Sequence, residues 1–207
     1  MRIRIAVLTF GLVLGGAVPL AAQSWESPSF FSPRPGEDIG LYLVRPDAGG
    51  DIGIAGIWRQ SGNINLGVRA GLAGDLIHVG GEYYSELHAL GPQSPVLMSW
   101  VLGLGASFDD DVTWLRVPLG VSAGLSLDAG GMNILPYVHP RVTLDFVTVG
   151  RGNEEESNTE FNLPVDVGAD VAIGTSLVAR VGATLNDGGT TFGAGLAWRM
   201  SRRLIVR

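Results

Sequence analysis

The side chains able to do chemistry are few and widely spaced. His78, His88 and His139 stand ten or more residues apart, and the chain has no cysteine, so neither a close-spaced zinc motif nor a thiolate site exists. Gly103-Leu104-Gly105 and Gly193-Ala194-Gly195 lack the strand-to-helix setting of a phosphate-binding loop, and no serine stands in a nucleophile elbow. No catalytic residue, metal site or cofactor is assigned on this basis, and the histidines are expected to be satisfied interior or loop residues. Two acidic clusters remain, Asp109-Asp110-Asp111 and the stretch Arg151 to Glu160 with Glu154, Glu155, Glu156 and Glu160. Crowded carboxylates serve as general bases or hold hard divalent cations, but neither cluster has calcium-loop spacing, and both are read first as solvated turns.

More informative is a set of charges recurring in one phase of an alternating pattern: Arg69, Glu82, Arg116, Arg141, Asp145, Asp166, Asp170, Arg180 and Arg199. Between them, apolar residues occupy every second position. Ile64, Leu66, Val68, Ala70 and Leu72 form one such run, and Leu115, Val117, Leu119, Val121, Ala123, Leu125 and Leu127 a longer one. Others are Val96 to Phe108, Phe161 to Ile173, Leu177 to Leu185 and Phe192 to Met200. A period of two over so many residues fits strands and no helix. With 31 glycines in 207 residues, long helices are disfavoured as well.

Weaker candidates bring the count to ten strands, about 38–45, 51–59, 64–73, 76–87, 96–108, 113–127, 133–148, 160–173, 177–186 and 190–200, separated mostly by Gly, Asp, Asn and Pro. The connections are too short for helical crossovers, so the strands form a meander of hairpins. Pro118, Pro136, Pro140 and Pro164 fall inside these strands, where bulges are expected. Residues 1–22 read as an export signal: Arg2 and Arg4, an apolar run from Ile5 to Leu20, and small residues before a cut after Ala22. Residues 23–36, with Pro28, Pro33 and Pro35, read as an extended N-terminal arm, and 37–207 as one barrel. All 14 basic residues are arginines and the net charge is −6, which excludes a nucleic-acid partner.

Both faces of these strands constrain the environment. The polar face carries Gly, Ser, Thr and one or two charges per strand, which suits a paired interior, while the continuous apolar face suits lipid. Trp58, Trp100 and Trp198 near one set of strand ends, with Phe108, Phe146, Phe161 and Phe192 near the other, read as aromatic girdles. The fold expected is therefore all-β: an antiparallel up-and-down transmembrane β-barrel of about ten strands, with eight as the alternative.

These features resemble the small outer-membrane β-barrel proteins of Gram-negative bacteria, the family of OmpA/OmpX-like barrel domains. The run Gly195-Leu196-Ala197-Trp198-Arg199-Met200 is similar to that family's C-terminal assembly signal, although the chain continues from Ser201 to Arg207. The resemblance implies export to the outer membrane, contact with its lipid and lipopolysaccharide, handling by the barrel assembly machinery, and room for an envelope protein partner. A divalent-ion bridge from the acidic stretch to lipopolysaccharide phosphates is one reading of 151–160. The function expected is a structural or interaction role in the cell envelope, with the lumen filled by the Arg/acid network and no enzymatic activity. A narrow pore for small solutes is the alternative. An omptin-like protease using Asp109 to Asp111, or a lipid-modifying enzyme, ranks behind both, since the outer turns are short and no histidine lies beside those acids.

Overall fold

The computed structural model describes residues 25–46, 50–87, 94–151 and 154–200; the stretch read as an export signal, His88 and residues 201–207 lie outside these. Twelve strands follow in chain order: β1 (Asp38–Arg45), β2 (Gly53–Gln60), β3 (Leu66–Ala73), β4 (Leu76–Glu86), β5 (Val96–Asp109), β6 (Val112–Leu125), β7 (Leu127–Ala129), β8 (Met132–Arg151), β9 (Glu154–Asn162), β10 (Val165–Ile173), β11 (Leu177–Asn186) and β12 (Gly189–Arg199). Each pairs antiparallel with its neighbours. β1 also pairs with β12, from Asp38 opposite Arg199 to Arg45 opposite Phe192, so the sheet closes on itself. Closure removes the unpaired edges that hydrocarbon does not tolerate.

The twelve strands make ten staves. β7 continues β6 past Ser126 in the same register against β8, and β9 and β10 are one stave broken at Leu163-Pro164. Both parts of that stave pair with the 20-residue β8, β9 along 143–151 and β10 along 134–140. The bulges expected at the prolines do not occur: pairing beyond Pro118, Pro140 and Pro164 resumes with no residue inserted on either side. A proline deletes one ladder bond, and the bonds on either side hold the register; beside Pro164, the Arg141 amide donates to the Pro164 carbonyl at 2.9 Å. A second expectation is corrected at 151–160. The stretch read as a long acidic loop is mostly strand β9, because Thr148, Phe146 and Leu144 on β8 offer it partners at Ser157, Thr159 and Phe161.

Turns at one end, the hairpin end, join β1–β2, β3–β4, β5–β6, β8–β9 and β11–β12. The wall starts at Asp38 and finishes at Arg199 at the opposite, terminal end. There Gly130 and Gly131 form a two-residue turn at φ 66° and 90°, the left-handed pair that matches strand twist and that only glycine adopts freely.

Alternation sorts the wall cleanly. On β1 Ile39, Leu41 and Leu43 face out and are more than half exposed, while Asp38, Gly40, Tyr42 and Val44 face in and are buried. Trp58 and Trp198 both stand opposite Ile39, at one level of the exterior, and Tyr83 packs beside Trp100, ring centroids 5.4 Å apart. Phe108 and Phe146 lie towards the hairpin end, and Phe161 and Phe192 are also outward and exposed. In lipid vesicles, Leu119→Arg, placed mid-stave on the outer face at 51% exposure, is expected to lower barrel stability by about 2–4 kcal/mol, against about 0–1 for Ile52→Arg beside the β1–β2 turn. Urea titrations of the two variants measure the difference.

Candidate functional site

The site is the lumen, and its centre is not part of the wall. Residues 25–33, read from the sequence as part of an extended arm, are buried from end to end inside the barrel. The segment runs from the hairpin end, where the Glu26 amide donates to the Pro46 carbonyl at 2.8 Å, to the terminal end, where the Ser61 hydroxyl donates to the Pro35 carbonyl at 3.2 Å. It is no strand: Pro28, Pro33 and the lack of a neighbouring ladder leave its carbonyls to be bonded by wall side chains. Arg59 donates to the carbonyls of Phe30 and Ser29, each at 3.0 Å. Ser99 donates to Pro33 at 2.7 Å and Ser122 to Phe31 at 2.8 Å.

Wall glycines receive the bulky side chains of this plug. A side chain on Gly71 would collide with the Trp25 ring, one on Gly193 would come within 2.7 Å of Phe30, and one on Gly124 within 3.1 Å of Pro33. Trp25 stacks on His78 with centroids 5.2 Å apart, and Phe30 on Tyr42 at 4.2 Å. Gly71, Gly124, Gly182 and Gly193 are therefore sockets for the plug, while Gly40, Gly67, Gly120, Gly168 and Gly195 make room for side chains of the wall itself.

Around it runs a broken chain of ion pairs, in three clusters. Arg59 reaches Glu82 at 2.7 Å, and Arg69 pairs with the other oxygen of the same carboxylate. Arg116 holds Asp145 in a fork, with contacts of 2.7 and 2.8 Å, and also pairs with Glu26. Arg141 bonds Glu26 at 3.1 Å and Asp166 at 2.7 Å. Arg180 joins Asp38 at 2.6 Å to Asp170 at 3.1 Å and donates to the Tyr42 hydroxyl at 2.9 Å. Each guanidinium meets at least one carboxylate, the arrangement that buried charge requires. Arg199 stands apart, exposed at the terminal end of β12 and outside this buried chain.

Three participants were not singled out in the sequence. Glu26 belongs to the plug, and Asp38 opens β1. Arg59 ends a strand whose inner face is otherwise the small or apolar Gly53, Ala55 and Ile57, so alternation does not reveal which way it points. A signal was present: Trp25, Phe30 and Phe31 cluster in a segment without strand pattern, and aromatics of that size call for burial.

Ser29, His139 and Asp166 also meet here, and their geometry argues against hydrolysis. The Ser29 hydroxyl donates to Asp166, and both groups approach the same ring nitrogen, His139 Nδ1, at 2.9 and 3.4 Å. A nucleophile and its orienting acid belong on opposite ring nitrogens. His78 bonds Ser107 at 3.0 Å through Nδ1. Among the described residues no three His, Asp or Glu side chains are grouped to hold a metal ion. Asp109, Asp110 and Asp111 lie at the β5–β6 turn, with Asp109 two residues beyond Ser107, the residue that stands opposite His78 and bonds it. Beside the plug lies a cavity of about 60 Å³, lined by residues including Arg69, His78, Arg116 and Arg141, with room for a few waters.

A closed antiparallel barrel that is apolar outside and ion-paired inside is a transmembrane β-barrel. No known family profile and no curated protein matches the chain. Among solved structures it is similar to a KdgM porin, with 8% identity over 79% of this chain and 99% of that one and a TM-score of 0.43. It is also similar to the N-terminal β-barrel domain of Pseudomonas aeruginosa OprF, with 11% identity over 80% and 98% and a TM-score of 0.39. Neisserial surface protein A gives 12% identity over 79% and 97%, with a TM-score of 0.38. The barrel assignment rests on the closed ladder itself.

Arg141→Ala removes the cation between Glu26 and Asp166 and is expected to cost about 3–5 kcal/mol, while Arg199→Ala stays within about 0.5 kcal/mol. Equilibrium unfolding in vesicles distinguishes them.

Proposed function

We propose that this protein is an outer-membrane β-barrel of the Gram-negative envelope, closed to solutes at rest, with a structural or interaction role. The observation that carries the reading is the plug: residues 25–33 fill the lumen and bond five of its staves through Arg59, Ser99, Ser122, Arg141 and Asp166. A resting pore would need a continuous aqueous path where this segment lies. The export signal read in residues 1–22 and the lipid-facing exterior support the location. The Gly195 to Met200 run supports delivery by the barrel assembly machinery.

With no nucleophile, metal cluster or substrate cleft identified in the lumen, the reading is non-enzymatic. Function then lies at the rims. At the hairpin end Asp109 to Asp111 and Glu156 crown adjacent staves, since Val112 pairs with Val149 and Val149 with Glu156. In an outer membrane this acidic rim stands among lipopolysaccharide head groups, where divalent cations link carboxylates to phosphates. An envelope protein partner is the other candidate for this surface.

Cell fractionation is expected to recover the processed chain in the outer membrane, with migration that shifts on boiling. Purified wild-type protein in planar bilayers at low voltage is expected to show no steady single-channel steps. Recovery in the soluble periplasm defeats the location, and steady resting conductance defeats the closed lumen.

A further inference from the structure

Beyond that reading, we propose that the barrel is a gated conduit for ions and small polar solutes, and that residues 25–33 are the gate. Three observations carry this. The first is electrostatic independence of the wall. If the plug leaves, Arg59 and Arg69 keep Glu82, Arg116 keeps Asp145, Arg141 keeps Asp166, and Arg180 keeps Asp38 and Asp170. Only Glu26, which travels with the plug, parts from its cations, and it parts into water. Withdrawal therefore strands no buried charge, the step that would otherwise forbid it.

The second is the mode of attachment. The plug joins no β-ladder; besides the Glu26 amide at Pro46, it is tied to the wall through side chains such as Arg59, Ser99 and Ser122. Its link to β1 is the short run Pro35-Gly36-Glu37 at the terminal end. The wall ladder, by contrast, closes through β1 and β12 without the plug's participation.

The third is what withdrawal leaves behind. The sockets at Gly71, Gly124, Gly182 and Gly193 are glycines spread over four staves, each shaped by absence of a side chain where a plug residue sits. Emptied, they leave a lumen lined by glycines, by the tyrosines Tyr42, Tyr84 and Tyr137 and by neutral Arg–carboxylate pairs, which suits small polar solutes of either charge better than bulky or apolar ones. At Gly71, Gly182 and Gly193 the atom that a side chain would meet first belongs to the plug, whereas at Gly124 it is the Pro136 carbonyl of the next stave.

The chain's lack of cysteine permits a direct test. A Cβ on Gly182 would lie 3.1 Å from the Cβ of Pro28, near the span of about 3.5–4.5 Å that a disulfide bridges. Pro28→Cys/Gly182→Cys in the full-length protein is expected to cross-link on oxidation in the folded barrel. In planar bilayers the reduced pair is expected to give discrete openings under raised voltage or mild urea. Oxidation should abolish these openings, and reductant should restore them. Glu26→Gln should raise their frequency without altering step size.

Reduced protein that stays silent under all conditions in which the barrel remains folded overturns the gate, while leaving the closed-barrel reading intact. So does an absence of any change in opening frequency in Glu26→Gln. Openings equal in oxidised and reduced protein overturn the assignment of 25–33 as the gate. Steady conductance of wild type at rest, unchanged by the tether, instead removes the closed-lumen reading on which resting silence depends.

Discussion

Pairing of charge in a closed interior is the constraint on which the rest of this structure depends. A barrel whose outside is apolar has to place its polar residues inside, and a guanidinium withdrawn from water is stable only against a carboxylate held in hydrogen-bonding geometry. Five arginines meet six acids here, drawn from eight staves and from the plug. Because partners such as Arg116 and Asp145 stand directly opposite in the β6–β8 register, the ion pairs and the strand alignment reinforce each other. A slip of one residue would turn every charge of a stave towards lipid, so electrostatics and alternation select the same register.

That constraint explains why the proline interruptions are harmless. Pro118, Pro140 and Pro164 remove ladder bonds, yet Arg116–Asp145 and Arg141–Asp166 clasp the staves close to those gaps. Local loss of backbone bonding coincides with the strongest side-chain bonding in the lumen.

The glycines have a related but separate logic. Ten staves enclose more width than eight, and small residues on the inner face widen the lumen further. The protein fills it with a proline-containing segment whose aromatics enter glycine sockets and whose carbonyls are bonded by Arg59, Ser99 and Ser122. Filling by a separate segment leaves the ladder closed through β1 and β12 and each of the five buried arginines paired with a carboxylate of the wall.

How much of this could be read in the sequence follows from the range of each interaction. Alternation is local: Leu115 to Leu127 on one face and Arg116 to Ser126 on the other declare a strand, its lipid side and its lumen side without a partner, and ten such runs with short turns declare an antiparallel meander. The inward charges Arg69, Glu82, Arg116, Arg141, Asp145, Asp166, Asp170 and Arg180 were legible for that reason, whereas Arg199 shares their phase but lies beyond the end of the enclosed lumen. What alternation cannot express is contact between segments far apart in the chain. Glu26 meets Arg116 and Arg141 across 90 and 115 residues, and Ser29 meets Asp166 across 137, so the plug's place exists only once the barrel has closed around it. β9 was hidden likewise, because Glu154 to Glu160 carries no apolar alternation and becomes a strand only through the ladder that β8 offers it. The sequence by itself determined the wall and its two faces, since those follow from neighbours two residues apart. Tertiary structure alone decided that the wall is closed upon the protein's own N-terminal segment, since that depends on charges and sockets brought together from every side of the barrel.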